Sequence, residues 1–337
     1  MRVYAEQLRS GLAPATDPGD RVDAMSLADA RLQPPGRYWD QYVRYQRLAG
    51  RVQSDVHHIL DHGFAHLAGA MPKGRVVVTF HDATPVRLGI ASFGTRRMLE
   101  IGMRSAAAKG AHFITGSEAS SRDAQEFFAV DPAVITIVPY GVDERFRPPV
   151  DRDGLRASLG LSRPTVLIVG HTQPYMNVEG ALAAAARAAA HVDLEVVKIG
   201  APLTVEHGRL AVSLGLRIRE TGIVADAAMA DWYGAADALL YLPTLSGFGL
   251  PAIEAMASGM PVVTSSTGGV LEVARGAAAL VDPRDVAAAG DALASVLTDG
   301  PRRHALIDQG IARAAEFSWR RTAQETLRVY RAVAHGA

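Results

Sequence analysis

Residues 247–263, Gly-Phe-Gly-Leu-Pro-Ala-Ile-Glu-Ala-Met-Ala-Ser-Gly-Met-Pro-Val-Val, restrict the fold more tightly than any other part of the chain. They set a glycine-flanked turn at the start of a helix, a carboxylate (Glu254) on one face of that helix, and a buried strand straight after. A helix entered through glycines leaves backbone N–H groups without intrahelical partners and aims the positive end of its dipole at whatever sits there. Such a terminus suits a phosphate. The apolar run 238–242 comes just before, so the loop falls at the carboxyl edge of a parallel sheet, where open α/β folds bind ligands.

Gly247, Gly249 and Ala252 fit the G-x-G-x-x-G/A spacing of dinucleotide-binding proteins. That reading needs an acidic residue near the end of the next strand to hold a ribose, and 262–266 supplies none. The longer string instead resembles the signature of family-4 retaining glycosyltransferases, E-G-F-G-L-P-x-x-E-A-M-A-x-G-x-P-V-V, followed here from Gly247 to Val263. Four further segments resemble the same family: Thr79-Phe-His-Asp82, Ile137-Val-Pro-Tyr-Gly-Val-Asp143, Asp231-Trp-Tyr-Gly-Ala-Ala-Asp237 and Thr267-Gly-Gly-Val-Leu-Glu272. The resemblance implies a GT-B architecture, two Rossmann-like parallel-sheet domains facing across a cleft.

The rest of the pattern is α/β throughout. Short β-branched runs alternate with alanine-rich helical stretches, as in parallel sheets covered by helices. Strands are expected at 21–27, 55–60, 75–80, 112–115 and 134–138, then at 165–169, 194–199, 217–221, 235–242, 261–265 and 278–281. Helices are expected at 38–52, 95–109, 178–190 and 286–297. A chain of 337 residues makes two domains at the usual ~100–200 residues each. The charged, proline-broken segment 143–153 reads as the linker between them. The expected division is 1–148, 149–317, and a terminal helix in 318–337, capped by Ser318, that crosses back to the first domain.

Composition narrows the function. Lys+Arg and Asp+Glu both number 35, so no global field favours nucleic acid or an anionic membrane. Cysteine is absent, which removes disulfides, thiolate metal sites and a cysteine nucleophile. No stretch approaches the roughly 20 apolar residues of a membrane span, and the amphipathic start Arg2-Val-Tyr-Ala-Glu-Gln-Leu-Arg is unlike a signal peptide. A cytoplasmic protein is expected. His57, His58, His62 and His66 straddle a strand end and a loop rather than one helix face, so no metal site is expected of them. His62 could instead line the acceptor side.

The resemblance assigns roles residue by residue. Glu254 would accept hydrogen bonds from the ribose diol of a nucleoside-diphosphate sugar, a pairing that suits two carboxylate oxygens. The amides of Phe248, Gly249 and Leu250, with Gly247, would meet the distal phosphate. Ile223, in Thr221-Gly-Ile-Val224, marks the backbone that reads the nucleobase. His81 would touch the transferred sugar. Gly170, His171 and Asn177 would border the diphosphate. No cofactor beyond the donor is implied, and the acceptor is a sugar, a lipid-linked molecule or a small molecule.

Three departures from the family touch this chemistry. Ser246 stands where the family has a glutamate on the sugar. In Val169-Gly-His-Thr-Gln-Pro-Tyr-Met-Asn177, His171 and Met176 replace the arginine and lysine that neutralise the departing diphosphate. The segment from Arg2 matches the family's first helix, without the strand and glycine loop that precede it there. These departures sustain a second expectation, a GT-B protein that binds nucleotide or glycan without turnover.

Overall fold

The structure is a computed structural model that describes residues 2–17, 20–24 and 44–336. Two compact units emerge, Met1–Gly141 with Ser318–Ala337, and Val142–Phe317. Each holds one all-parallel sheet. The two-domain parallel α/β architecture is therefore present.

In the first unit β1 (His57–Ile59), β2 (Val76–Phe80), β3 (His112–Thr115) and β4 (Ile135–Ile137) lie in sequence order. β2 is buried along its whole length because successive side chains enter opposite layers. Val76, Val78 and Phe80 join a core with Met103, Ala106 and Phe128, whereas Val77 joins Ile114, Val138, Val329 and Val333. The second layer is built by helix Trp319–His335, so the terminal helix belongs to this unit. Ser318 caps it, its hydroxyl accepting from the Arg321 N–H. Helix Arg2–Leu12 packs on it through buried Tyr4, Leu8 and Leu12. Gly11 makes that approach possible: a Cβ there would lie 2.7 Å from the Trp319 carbonyl oxygen.

A polar chain threads the same layer. His58 bonds the Tyr330 hydroxyl at 2.6 Å through Nδ1 and the Thr79 hydroxyl at 2.7 Å through Nε2, and Tyr4 meets Thr79 at 3.2 Å. Buried polar groups must find partners, and these find one another. Among the described residues β1 is an edge strand.

In the second unit β5 (Thr165–Gly170), β6 (Glu195–Gly200), β7 (Ile218–Gly222), β8 (Ala238–Tyr241), β9 (Val262–Ser265) and β10 (Ala279–Val281) take the order β10-β9-β8-β5-β6-β7. The strand order reverses between β5 and β8, the switch point at which doubly wound sheets open a crevice. The opposite edge is pinned by Asp237. Its carboxylate accepts from Arg152 at 2.7 Å, Arg156 at 2.8 Å and the Thr165 N–H at 2.8 Å. Burial works against that charge, but these donors outweigh it and hold the carboxyl below its ordinary value.

Several sequence expectations shift. Residues 21–24 carry no strand, and 25–27 lie outside the described residues, as do 38–43 of the helix expected at 38–52, of which Tyr45–Ala49 is helical. The strand expected from 235 starts at Ala238, because helix Asp226–Ala235 runs on through its alanines. The units divide at Gly141/Val142 rather than at 148. The expected linker is packed: Phe146 lies edge-on to Tyr233 at 5.6 Å, Asp151 caps helix Arg152–Ser158, and the Val142 N–H bonds the Phe317 carbonyl.

Burial and neighbouring His81 depress His58 to a pKa of about 3. Free imidazole titrates near ~6.5, so the neutral ring favours folding fully above that pH and progressively less as pH falls toward 3. The melting temperature should therefore drop on acidification from pH 6.5 to 4, and drop less steeply in His58→Gln. Parallel slopes for the two proteins would rule His58 out as a source of acid lability.

Candidate functional site

At the carboxyl edge of the second sheet, β8 leads through 242–249 into helix Leu250–Ala257. The loop is held by backbone contacts with its neighbours. Thr244 donates its N–H to the Tyr175 carbonyl at 2.8 Å, and the Gly269 N–H reaches the Ser246 carbonyl at 2.8 Å. A Cβ on Gly269 would sit 2.1 Å from the Gly247 oxygen, so only glycine admits the loop at this height. Gly268 has φ +64° and Gly249 φ +102°, both in the left-handed region that side chains avoid. Thus Gly247–Gly249 and Gly268–Gly269, two motifs in sequence, form one object: a loop seated on glycines.

Helix Leu250–Ala257 has no side-chain cap. Pro251 has no N–H to satisfy, and the Ala252 N–H turns back to Gly249 at 3.0 Å. Five helices in this unit cap themselves with Asp151, Asn177, Thr204, Asp285 or Asp299, whereas Asp226–Ala235 and Gly268–Ala274 also lack a side-chain cap. At Leu250 a helix start of this kind can accept an anion. The Phe248 side chain turns inward, edge-on to Phe317 at 5.9 Å.

Glu254 lies one turn into this helix, half-buried, accepting from the Tyr233 hydroxyl at 3.1 Å. Desolvation pushes its pKa up to about 7, with Asp226 and Asp143 adding to the rise, while Tyr233 and Arg145 oppose it. Tyr233, Asp143 and Arg145 were not among the expected site residues. Their link to Glu254 needs folding to bring distant segments together.

The end of β5 forms the next wall. Gly170 has φ +113°, and a Cβ on it would come within 2.9 Å of the Met176 terminal methyl. His171 is exposed; its Nδ1 accepts from the Gln173 N–H at 3.4 Å and its Nε2 lies 3.0 Å from the Tyr175 hydroxyl. Asn177 spends its amide on structure, capping Gly180 at 3.3 Å and donating to the Pro283 carbonyl at 2.7 Å. Ile223, 89% exposed, follows the left-handed Gly222 at the end of β7.

Lys198, in the middle of β6, was also unforeseen. It is only 2% exposed, yet its ammonium donates to the Gly170 carbonyl at 2.5 Å and to the Ile199 carbonyl at 3.0 Å. The available signal was a lone lysine interrupting an apolar strand, one of only three in the chain.

His81 lies in the other unit, at the end of β2. Its Nε2 donates to the Leu60 carbonyl at 2.9 Å and its Nδ1 pairs with the Tyr140 hydroxyl at 2.7 Å. Burial lowers its pKa, against the pull of the Leu60 carbonyl. Contact with a sugar would have to exchange one of these bonds. Among the expected metal candidates, His58 is taken by Tyr330 and Thr79, His57 faces Ser54 at 3.3 Å, and His62 lies tilted against Phe80 at 4.7 Å. Among the described residues no three His, Asp or Glu side chains group as metal ligands do. No described helix is long and apolar enough to cross a membrane.

Comparison with known proteins converges on one family. The model described as glycosyl transferases group 1 matches residues 151–313, and that described as Glycosyltransferase Family 4 matches 11–146. D-inositol 3-phosphate glycosyltransferase of Nocardia farcinica is 34% identical over 258 residues, covering 71% of this chain and 57% of that protein. The same-named protein of Geodermatophilus obscurus is 31% identical, covering 77% and 61%. The chain thus spans less than two thirds of these curated relatives. Among solved structures, sucrose-phosphate synthase from Thermosynechococcus elongatus superposes with TM-score 0.77 at 21% identity, covering 99% of this chain and 94% of that one. Anabaena Alr3699/HepE, solved with UDP and glucose, gives 0.75 at 18% identity, with 88% and 82% covered. Both are likenesses of fold.

The glycine seat has a direct test. Gly269→Ala should force the loop off its support, costing about 1–3 kcal/mol as other overpacked sites do. Thermal melting reads the loss; a variant as stable as the parent would show that the loop tolerates displacement.

Proposed function

Because this chain belongs to the group 1, family-4 glycosyltransferases, we propose that it moves a sugar from a nucleoside-diphosphate donor to an acceptor hydroxyl, with retention at the anomeric carbon. The observation that carries the reading is the uncapped, glycine-seated start of helix Leu250–Ala257 with Glu254 one turn behind it. In this reading the Gly249 and Leu250 amides take the distal phosphate, whose charge grows as the sugar leaves. Donors fixed in advance stabilise that charge without reorganising. Glu254 takes the ribose hydroxyls, and backbone around Ile223 borders the base. His81 is proposed as a sugar contact from the first unit, and Gly170, His171 and Asn177 as the shape of the diphosphate wall. The reading invokes no metal and no resident cofactor.

UDP is the first nucleotide to test, since a structural neighbour was solved with it. The relatives' name makes a phosphorylated polyol one acceptor to test, alongside sugars and lipid-linked acceptors. Incubation with UDP- and GDP-sugars should release nucleotide in an acceptor-dependent way. Ser246 and Met176 favour the second reading, binding without turnover, because neither supplies the charge its family position usually does. Tight nucleotide binding with no release under any donor and acceptor would decide for that reading.

Glu254→Ala should weaken UDP by roughly 1–3 kcal/mol, the usual range for losing hydrogen bonds to a charged group. Calorimetric affinity equal to the parent's would remove Glu254 from the ribose. A carboxyl at about 7 is only partly ionised at neutrality, so parental affinity should rise as pH climbs through 7. That acid limb should vanish in Glu254→Gln, and its persistence there would assign it to another group.

A further inference from the structure

Met176 presents a thioether methyl where a cation would serve the leaving diphosphate, yet the same corner holds an ammonium that comes from another strand. Lys198 rises from β6 beside β5, in register with Ile168, and ends on the Gly170 carbonyl, the residue whose α-carbon the Met176 methyl overlies. Gly170 and Gly200 approach so closely that a Cβ on Gly200 would meet the Gly170 oxygen at 2.5 Å. The ammonium is therefore clamped between two strand ends, directly behind the loop that carries His171.

We propose that Lys198 supplies the positive charge of the diphosphate site, replacing from behind β5 the cation that Met176 cannot provide. The assignment rests on the donor-site reading above. Lys198 acts as a positioning and electrostatic residue: it holds the Gly170 turn in place and makes the potential there positive. An ammonium has three N–H donors, of which the Gly170 and Ile199 carbonyls take two. Carbonyl oxygens solvate this charge but do not cancel it. Among the described residues the charged group acting on it is Glu220, across the ladder on β7, whose carboxylate already accepts the Leu203 N–H at 2.7 Å. Burial lowers the Lys198 pKa to about 8, and Glu220 opposes that shift.

Charge and scaffold separate cleanly with pH. A neutral amine keeps two N–H groups, enough for both carbonyls, so deprotonation removes the charge and leaves the clamp. As pH rises through about 8, the anion site loses its cation while the fold stays intact. Titratable groups on the surrounding elements are Glu220 and Arg219 on β7, and His171 and Tyr175 after β5. Helix Val178–Ala189 adds Glu179 and Arg187, and helix Val205–Ser213 adds Glu206, His207 and Arg209. The opposing β5 residue Ile168 is uncharged. Free imidazoles and second phosphate ionisations fall near ~6–6.5, phenols near ~10, and the uracil imide of the ligand also ionises above a window of about 7.5–8.5.

The experiment is calorimetric titration of UDP, and of uridine as the phosphate-free control, across that window. Across that window parental UDP affinity should fall about two- to threefold with rising pH, uridine should not respond, and Lys198→Arg should hold UDP affinity level. Lys198→Met should bind UDP about tenfold more weakly at pH 7.5, with no alkaline fall. Thermal melts show whether each variant folds; the parental profile needs no variant and decides by itself if they do not. A level parental profile, or the same fall in Lys198→Arg, overturns the assignment. Failure of the parent to bind either UDP or GDP at any pH would instead overturn the donor-site reading, and the role of Lys198 with it.

Discussion

The loop Ser246–Gly249 can begin its helix where it does only because the chain offers it bare backbone to rest on. Gly269 gives its N–H to Ser246 and leaves no room for even a methyl group beneath Gly247. Gly249 then turns through the left-handed region against Val270, where a Cβ would approach 2.9 Å. From this seat follow the uncapped helix start at Leu250, the position of Glu254 one turn on, and the contact of Phe248 with Phe317. The opposite edge of the sheet must be equally firm for such a seat to hold. There Asp237 gathers two arginines and the Thr165 amide, tying the starts of β5 and β8 together. Rigid strand ends below and paired loops above are what preorganisation of a site requires.

Much of this was legible in the sequence, for a physical reason. β-branched runs in a doubly covered parallel sheet need no long-range information, and ten of the strands expected from such runs correspond to β1–β10 within a few residues. Alanine blurs the signal. At Ala235 it ends a helix where a strand was expected to begin, and the strand itself starts only at Ala238. Gly247 and Gly249 were readable as turn positions and Gly268-Gly269 as part of a family-like segment, but that the two pairs stack on each other was not. That depends on a parallel pairing of β8 with β9 that brings their carboxyl ends side by side.

Charged residues were the least legible. Glu254 was recognisable from its motif, but its raised pKa comes from burial and from Asp143 and Asp226, which meet it only in the fold. Asn177 looked like a ligand contact and is occupied as a helix cap and a tether to Pro283. His81 looked available and is bonded through both ring nitrogens. Lys198 was assigned no role, and the fold sets it on the Gly170 carbonyl. These cases share one source: a side chain's chemistry is set by which backbone groups it reaches, and sequence spacing does not report that.

Glu254 and Lys198 share a condition that bears on how a donor would be recognised. Burial disfavours the charged form of both, raising one pKa and lowering the other toward neutrality. Neither charge is closed off by a tight ion pair. Glu254 has a phenol and a more distant Arg145, and Lys198 has two carbonyls and a more distant Glu220. A ligand that brings hydroxyl donors to the first and anionic oxygens toward the second relieves both penalties together. A nucleoside diphosphate carries those groups on one rigid framework, the diol on its ribose and the charge on its phosphates. A free sugar has the hydroxyls without the charge, and inorganic phosphate the charge without the diol. By linkage, the ligand that satisfies both must also shift both pKa values outward, so its recognition is coupled to the ionisation of two residues that the apo protein holds near neutrality.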